Sequence, residues 1–172
     1  MRIDDAARAI PLLEQLVVIP SVTGAEGPLL DFLQGRSEAR GLTVDSQEVS
    51  PGRRNLFIHR GRADVVFMTH ADTVQPFFPP RRSGAGLAGR GACDAKGSLA
   101  AQAVALEDLL AQGLPVGLLV LVGEERGSDG ALAANREPRE SRYIVCGEPT
   151  GNQFVAGSKG CLRIRAETRG VA

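Results

Sequence analysis

Residue types that would define a structural class are scarce in this 172-residue chain. It contains no tryptophan and one tyrosine, and its three cysteines, Cys93, Cys146 and Cys161, are far apart and form no CxxC pair. An odd number of isolated cysteines indicates neither a disulfide framework nor a thiolate zinc cluster. We therefore expect all three to be small buried side chains in a reducing cytoplasm.

Net charge is also missing, because 20 basic residues balance 20 acidic ones. No basic stripe favours a nucleic acid or an anionic membrane as the partner. The longest apolar run, Leu114 to Val122, is about half of what a bilayer span needs, and the N-terminal MRIDDAARAI does not resemble a signal peptide. These features predict a soluble cytoplasmic protein that acts on a small molecule.

Helices are predicted where apolar residues recur every three or four positions. Such spacing ends before Pro20 in one segment and runs from Ala95 to about Gln112 in another. Pro28 and Gly41 bracket a further helix, a short one is expected over 128–135, and 73–90 is expected to be loop. Extended segments are predicted at Leu42 to Val49, Asn55 to His59, Asp64 to Thr69, Val116 to Val122, Tyr143 to Cys146, around Phe154, and from Leu162 to Thr168.

The alternation of strands and helices favours an α/β fold, a three-layer sandwich with a largely parallel central sheet flanked by helices. The runs VVFMT, VGLLVLV and YIVC are apolar throughout rather than alternating. That pattern is typical of strands covered on both faces.

Ionisable side chains follow each of these apolar strands. In an open α/β sheet the carboxyl ends of the strands form the ligand-binding rim, so these side chains should converge there. Carboxylates held close together raise each other's pKa unless a cation neutralises them. The residues concerned are His70 and Asp72, Glu124 and Glu125, Glu148, and Asp94 in the loop before the longest helix.

One histidine with several carboxylates and no thiolate suits zinc, cobalt or manganese in an open hydrolytic site. More than three carboxylates exceed what one catalytic zinc uses, whereas two metals that share a carboxylate, roughly 3.5 to 4 Å apart, would use them all. The sequence therefore favours a two-metal site.

Each of these residues has an ordinary alternative when it is taken alone. His70 could be a hydrogen-bonded histidine at a strand end, Glu124 and Glu125 a solvated loop pair, Asp94 a helix N-cap and Glu148 a surface acid. The segment ACDAKGS is no nucleotide-binding loop, because its lysine precedes the glycine whereas GxxxxGK[ST] needs the reverse order. Lys96 is expected to anchor the loop that positions Asp94. His59 has no motif around it.

Four motifs in order, HADTV at 70–74, GRGACDAKG at 89–97, GEE at 123–125 and GEPT at 147–150, resemble the successive signatures of the di-zinc amidohydrolase and exopeptidase family. That family includes acetylornithine deacetylase, succinyl-diaminopimelate desuccinylase, aminoacylase, glutamate carboxypeptidase and carrier-linked lysine or ornithine hydrolases. The resemblance covers nearly the whole chain.

The resemblance implies a role for each metal-site residue. Asp94 would bridge two metals, His70 and Glu148 would complete the ligands of one, and Glu125 would bind the other. The metals would be two divalent ions, zinc with cobalt or manganese possible as substitutes.

The resemblance also implies the reaction and its supporting residues. Glu124 would be the general base that takes a proton from a metal-activated water. Asp72 would accept the other imidazole N–H of His70 and so fix its tautomer. A cis peptide between Asp94 and Ala95 is expected.

The family has one more histidine ligand towards its C-terminus, and this chain has no histidine after His70. We therefore expect residues 1–157 to form the N-terminal part of a catalytic metallohydrolase domain and 158–172 to begin a truncated dimerisation domain. One metal site would be incomplete, the fragment would be inactive or nearly so, and the full-length protein would be a homodimer.

The implied activity is hydrolysis of an amide bond in an N-acyl amino acid, of the acetylornithine type or linked to a carrier, as in arginine or lysine biosynthesis. Dipeptidase, carboxypeptidase or desuccinylase activity within the same family is the first alternative. A non-catalytic metal-binding remnant or binding module is the alternative from another class.

Overall fold

A computed structural model describes residues 3–84, 86–157 and 164–170 of the chain. Its helices are α1 (Ile3–Val17), α2 (Gly27–Glu38), α3 (Lys96–Ala111) and α4 (Asp129–Arg136). Its strands are β1 (Thr43–Ser50), β2 (Arg53–His59), β3 (Val65–His70), β4 (Arg81–Ser83), β5 (Gly86–Ala88), β6 (Val116–Leu121) and β7 (Tyr143–Cys146), and a 3₁₀ turn spans Glu124–Arg126.

Five strands form the central sheet in the order β1-β2-β6-β3-β7. The core strands β6, β3 and β7 are parallel, and β2 and β1 extend the sheet in antiparallel fashion. This confirms the predicted α/β sheet with helices on its faces. The parallel register pairs His70 with Leu121, so β3 and β6 end at the same rim and deliver their following residues side by side.

Three helices cover one face of the sheet. Leu16 of α1, Leu30 of α2 and Leu99 of α3 are at most 1% exposed and share one apolar cluster with Leu118 of β6. Each such side chain contributes about 1.5 to 3 kcal/mol when it leaves water, so this layer supplies most of the hydrophobic stabilisation. On the opposite face, α4 packs against β1 and β2.

The helix predictions agree with the structure to within a few residues, because Pro, Gly and apolar spacing mark their ends. The loop prediction for 73–90 missed the short β4–β5 hairpin, whose strands have three residues each and carry no apolar alternation. A strand around Phe154 is wrong, since 152–157 contains none. For Leu162 to Thr168, the described part from 164 is not a strand, and 162–163 lie outside the described residues.

Two burial predictions are also wrong. The apolar strand β7 is at the sheet edge, where Tyr143, Ile144 and Val145 are 46 to 62% exposed rather than covered on both faces. Cys93 and Cys146 are exposed free thiols, because one lies in the loop before α3 and the other ends that edge strand. Cys161 lies outside the described residues. No helix in the part of the chain that the structure describes is long and apolar enough to span a membrane.

Candidate metal centre

His70 ends β3, and its imidazole is 1% exposed. On one side, Nδ1 lies 3.0 Å from the main-chain oxygen of Asp72 and 3.4 Å from its Oδ1. On the other side, Nε2 lies 3.1 Å from Asp94 Oδ1 and 3.8 Å from Glu148 Oε2. With Nδ1 facing Asp72, the second ring nitrogen is directed at two carboxylates.

Asp72 is fully buried and accepts hydrogen bonds on both carboxylate oxygens. The Thr23 hydroxyl donates to Oδ2 at 2.7 Å, and the backbone N–H groups of Glu124 and Glu125 donate to Oδ1 and Oδ2 at 3.0 and 3.2 Å. This buried carboxylate therefore holds the imidazole and the start of the 3₁₀ turn in one place.

Asp94 lies at the end of the loop before α3, and its peptide to Ala95 is cis, as predicted. The helix that follows is fixed by Lys96, which is 1% exposed and donates from Nζ to the main-chain oxygens of Leu16 (3.1 Å) and Ile19 (2.7 Å). Lys96 thus ties the loop that carries Asp94 to the end of α1, which confirms its predicted anchoring role.

The loop around Asp94 has no room for side chains at two glycines. A Cβ on Gly91, which has a φ of +81°, would meet Thr73 at 2.7 Å and the Lys96 side chain at 3.1 Å. A Cβ on Gly97 would meet the main-chain oxygen of Ala92 at 2.8 Å.

Glu148 is placed by contacts at the end of β7. Gly147 donates its N–H to the Met68 oxygen at 2.7 Å, and its own oxygen accepts the Thr69 hydroxyl at 2.9 Å. Gln102 of α3 donates to the Val145 oxygen at 3.2 Å. Strand β3 and helix α3 together fix the residue that precedes Glu148.

Glu124 and Glu125 lie on the 3₁₀ turn that follows β6. Glu124 is exposed and Glu125 half-buried. The chain reverses sharply here, with left-handed φ values of 70° at Gly123, 95° at Gly127 and 57° at Ser128.

Electrostatics show how strongly these groups interact. Burial by itself lowers the pKa of His70, but the hydrogen bond to Asp72 and the charges of Glu148, Asp72 and Glu124 outweigh it and raise the pKa to about 9. Burial tends to raise the pKa of Asp72, yet its hydrogen bonds to His70, Thr23 and Glu124 lower it.

The acids nearby show the opposite effect. Burial raises the pKa of Glu125 and of Glu148, and the charge of Asp94 raises both further. The charges of Glu124 and Glu125 also raise the pKa of Glu148, so the 3₁₀ turn interacts electrostatically with the group around His70. A bound cation would remove this mutual repulsion.

Three of the predicted ligands form one group. One donor atom each from His70, Asp94 and Glu148 lies within 4.8 Å of the other two. An imidazole nitrogen with two carboxylate oxygens suits a divalent transition metal, with positions left for water or substrate. Glu125 and Glu124 lie on the adjacent turn rather than in this group, and Asp72 lies behind the imidazole.

Beyond Asp72 and Lys96, the sequence did not indicate the residues that support these groups. Thr23 is 49 positions from the carboxylate that it contacts, and Asn55 contacts Val122 and Gly130, which are 67 and 75 positions away. Polar residues in a turn and a strand carry no signal for such long-range contacts. Only the hydrogen bonds that form in the fold identify them.

A buried imidazole facing carboxylates at the strand ends of an α/β sheet is typical of metal-dependent hydrolases. Comparison with known families agrees with this class. The model of peptidase family M20/M25/M40 matches residues 63–161, more than half of the chain. The chain belongs to this family, whose members are metallopeptidases and hydrolases.

Known proteins show the same likeness. A probable carboxypeptidase from Aspergillus clavatus is 34% identical over 99% of this chain and 46% of its own length. The crystal structure of a tripeptidase from Staphylococcus aureus superposes with a TM-score of 0.70 at 27% identity, covering 81% of this chain and 42% of that one.

A Bacillus subtilis structure described as a dinuclear metal-binding peptidase shares the fold, with a TM-score of 0.57 at 14% identity over 79% of this chain and 40% of that one. The chain spans less than half the length of each of these three proteins.

Proposed function

We propose that this chain contributes the metal-binding half of a metal-dependent amide hydrolase. The observation that carries the proposal is the group formed by His70, Asp94 and Glu148, with Asp72 behind the imidazole. We assign His70, Asp94 and Glu148 to one metal ion, and Asp94 with Glu125 to a second. Zinc fits this donor set best, and cobalt or manganese would also be accepted.

The residues around the group have distinct tasks in hydrolysis. When bound, the cations would polarise the scissile carbonyl and ease deprotonation of water. Glu124 takes the proton of the attacking water and delivers it to the nitrogen of the leaving amine as the C–N bond breaks. Asp72 keeps Nδ1 of His70 occupied, so that Nε2 stays directed at the ligand group. Asp72 also holds the backbone beside Glu124 at a fixed distance from the imidazole.

The substrate that we propose is a peptide with a scissile bond next to a terminal residue. The carboxypeptidase and tripeptidase names among the relatives favour this class over an N-acyl amino acid such as acetylornithine. The chain has two histidines, and neither is assigned to the metal ion that Asp94 and Glu125 would hold, so that ion lacks an imidazole ligand. We therefore expect the 172 residues alone to bind metal without measurable turnover, and turnover by the zinc-loaded chain would contradict this.

Metal titration tests the proposed site. By calorimetry, the chain should bind at least one equivalent of Zn²⁺, and Asp94→Ala should weaken that binding by more than about 100-fold because a ligand is lost. Asp31→Ala is the matched control, since Asp31 is exposed and pairs only with Arg54 among the contacts described. Glu124→Gln should retain binding, because this residue is proposed as a base and not as a ligand. Absence of Zn²⁺ binding would favour a non-catalytic module.

A further inference from the structure

The segment from Val122 to Gly130 carries Glu124 and Glu125, and we call it the carboxylate turn. Two polar side chains of β2 lie behind it, Arg53 and Asn55, which are two residues apart and so share one face of the strand. Arg54, between them, faces the other way and pairs with Asp31 of α2.

Asn55 joins the two ends of the carboxylate turn. Its Oδ1 accepts the N–H of Val122 at 3.1 Å, and its Nδ2 donates to the main-chain oxygen of Gly130 at 2.8 Å. Asn55 is 1% exposed, so water cannot reach its amide to replace these hydrogen bonds, and losing them would cost free energy of folding. One buried amide thus fixes where the chain enters the turn and where it leaves.

Arg53 connects the same turn to the support of Asp72. Its guanidinium pairs with Asp129 at the exit of the turn and donates to Glu26 from Nε at 3.2 Å and from Nη2 at 2.7 Å. Glu26 is 1% exposed and lies three residues after Thr23, whose hydroxyl donates to Asp72. The charge of Arg53 therefore compensates a buried carboxylate and links both sides of the site.

The turn packs closely against these side chains at two glycines. A Cβ on Gly123 would collide with the Asp129 carboxylate and lie 2.7 Å from Arg53 Nη2. A Cβ on Gly130 would collide with the Val122 oxygen and lie 2.7 Å from Asn55 Oδ1. The front of the turn is meanwhile held by the N–H groups that Asp72 accepts.

From this geometry we propose that Arg53 and Asn55 are positioning residues that set the place of Glu124 and Glu125 relative to the His70 group. Neither acts on a metal or substrate directly; both act through the backbone of the carboxylate turn. The inference rests on the proposed function, in which Glu125 binds metal and Glu124 is the base.

Hydrogen exchange of the metal-free chain tests the inference independently of metal. In Asn55→Ser and Arg53→Lys, the amides of Glu124 and Glu125 should exchange at least about tenfold faster, while amides of β3 change by less than about twofold. The matched controls are Asn135→Ser, at an exposed site, and Arg54→Lys, on the opposite face of β2. Should Arg53→Lys fail to fold, Asn55→Ser decides the question alone.

Two results of this experiment would overturn the inference. One is unchanged exchange at Glu124 and Glu125, which would mean that the turn holds its place without these side chains. The other is equal acceleration of the β3 amides, which would show that Arg53 and Asn55 support the fold in general.

Co²⁺ titration, followed by the visible absorption of the bound ion, separates this inference from the proposed function. Glu125→Ala should change the spectrum or the number of ions bound, and Asn55→Ser should cause part of the same change. If Glu125→Ala has no effect, the 172 residues bind no ion through Glu125, and hydrogen exchange alone tests the positioning role. If Glu125→Ala has an effect and Asn55→Ser has none, the positioning role is overturned.

Discussion

The imidazole of His70 is the residue on which the site depends most, since it contacts carboxylates through both ring nitrogens. Because the pKa of the imidazole rises from 6.5 to about 9 on folding, the metal-free folded chain holds the proton more tightly than the unfolded chain. The resulting stabilisation is complete below pH 6.5 and is lost as the pH rises to 9.

This difference predicts a pH dependence for the chain in a chelator. The free energy of unfolding should fall by on the order of 3 kcal/mol between pH 6.5 and 9 relative to His70→Gln. Urea unfolding of both proteins across this range measures it, and the comparison cancels the lowered pKa of Lys96, which both share. Parallel profiles would show that His70 does not carry the raised pKa.

Residue identity could be predicted for the proposed ligands and for two supporting residues, Asp72 and Lys96, but not for the other residues that hold the site in place. His70, Asp94 and Glu148 follow recognisable motifs, and the structure brings all three together. Thr23, Arg53 and Asn55 could not be found from the sequence, because their partners are distant in the chain and their residue types are common. Their hydrogen bonds identify them, and those bonds exist only in the fold.

At the scale of elements, the site depends on how strand ends are fixed against α3. Gly147 is the clearest case: a Cβ there would meet the Gln102 side chain at 2.5 Å and Ser98 at 3.1 Å. Gly147 is also hydrogen-bonded to Met68 and Thr69 of β3, so a shift that relieves the contact with α3 strains these bonds and moves the residue that follows.

Gly147→Ala should therefore displace the neighbouring Glu148 and weaken the first Zn²⁺ bound by roughly 10- to 100-fold, as loss of a ligand's support does. Gly35→Ala is the matched control. Gly35 lies in α2, and a Cβ there would have no neighbouring atom within 4 Å, so the change should raise stability by about 0.5 to 1 kcal/mol and leave Zn²⁺ affinity unchanged. Calorimetric titration of both variants is the measurement, and equal affinities would contradict the packing argument.

Helices and strands could be predicted from the sequence where the apolar pattern extends over many residues. Helix α3 and strand β6 agree with their predictions because Gly113 and Pro115 separate them and their apolar patterns are strong. The β4–β5 hairpin was missed because Arg81 and Arg82 give it no apolar pattern.

At the scale of the whole molecule, the two faces of the sheet are covered unequally. Helices α1, α2 and α3 bury one face, whereas β7 remains an apolar edge strand with Tyr143 and Ile144 about 60% exposed. The apolar run of β7 predicted burial on both faces. The apolar run could not show which residues cover the faces of β7, because that depends on packing across the whole sheet.

An exposed apolar edge strand offers unpaired N–H and C=O groups to another chain. The 172-residue protein should therefore self-associate through β7 as its concentration rises, which sedimentation velocity would detect. Val145→Lys should shift the protein towards the monomer, because a charge on the edge opposes strand pairing. Leu132→Lys is the matched control: Leu132 is 59% exposed but lies on α4, away from the edge, and should leave association unchanged. A protein that stays monomeric at every concentration, or equal effects of the two lysines, would show that the β7 edge does not drive association.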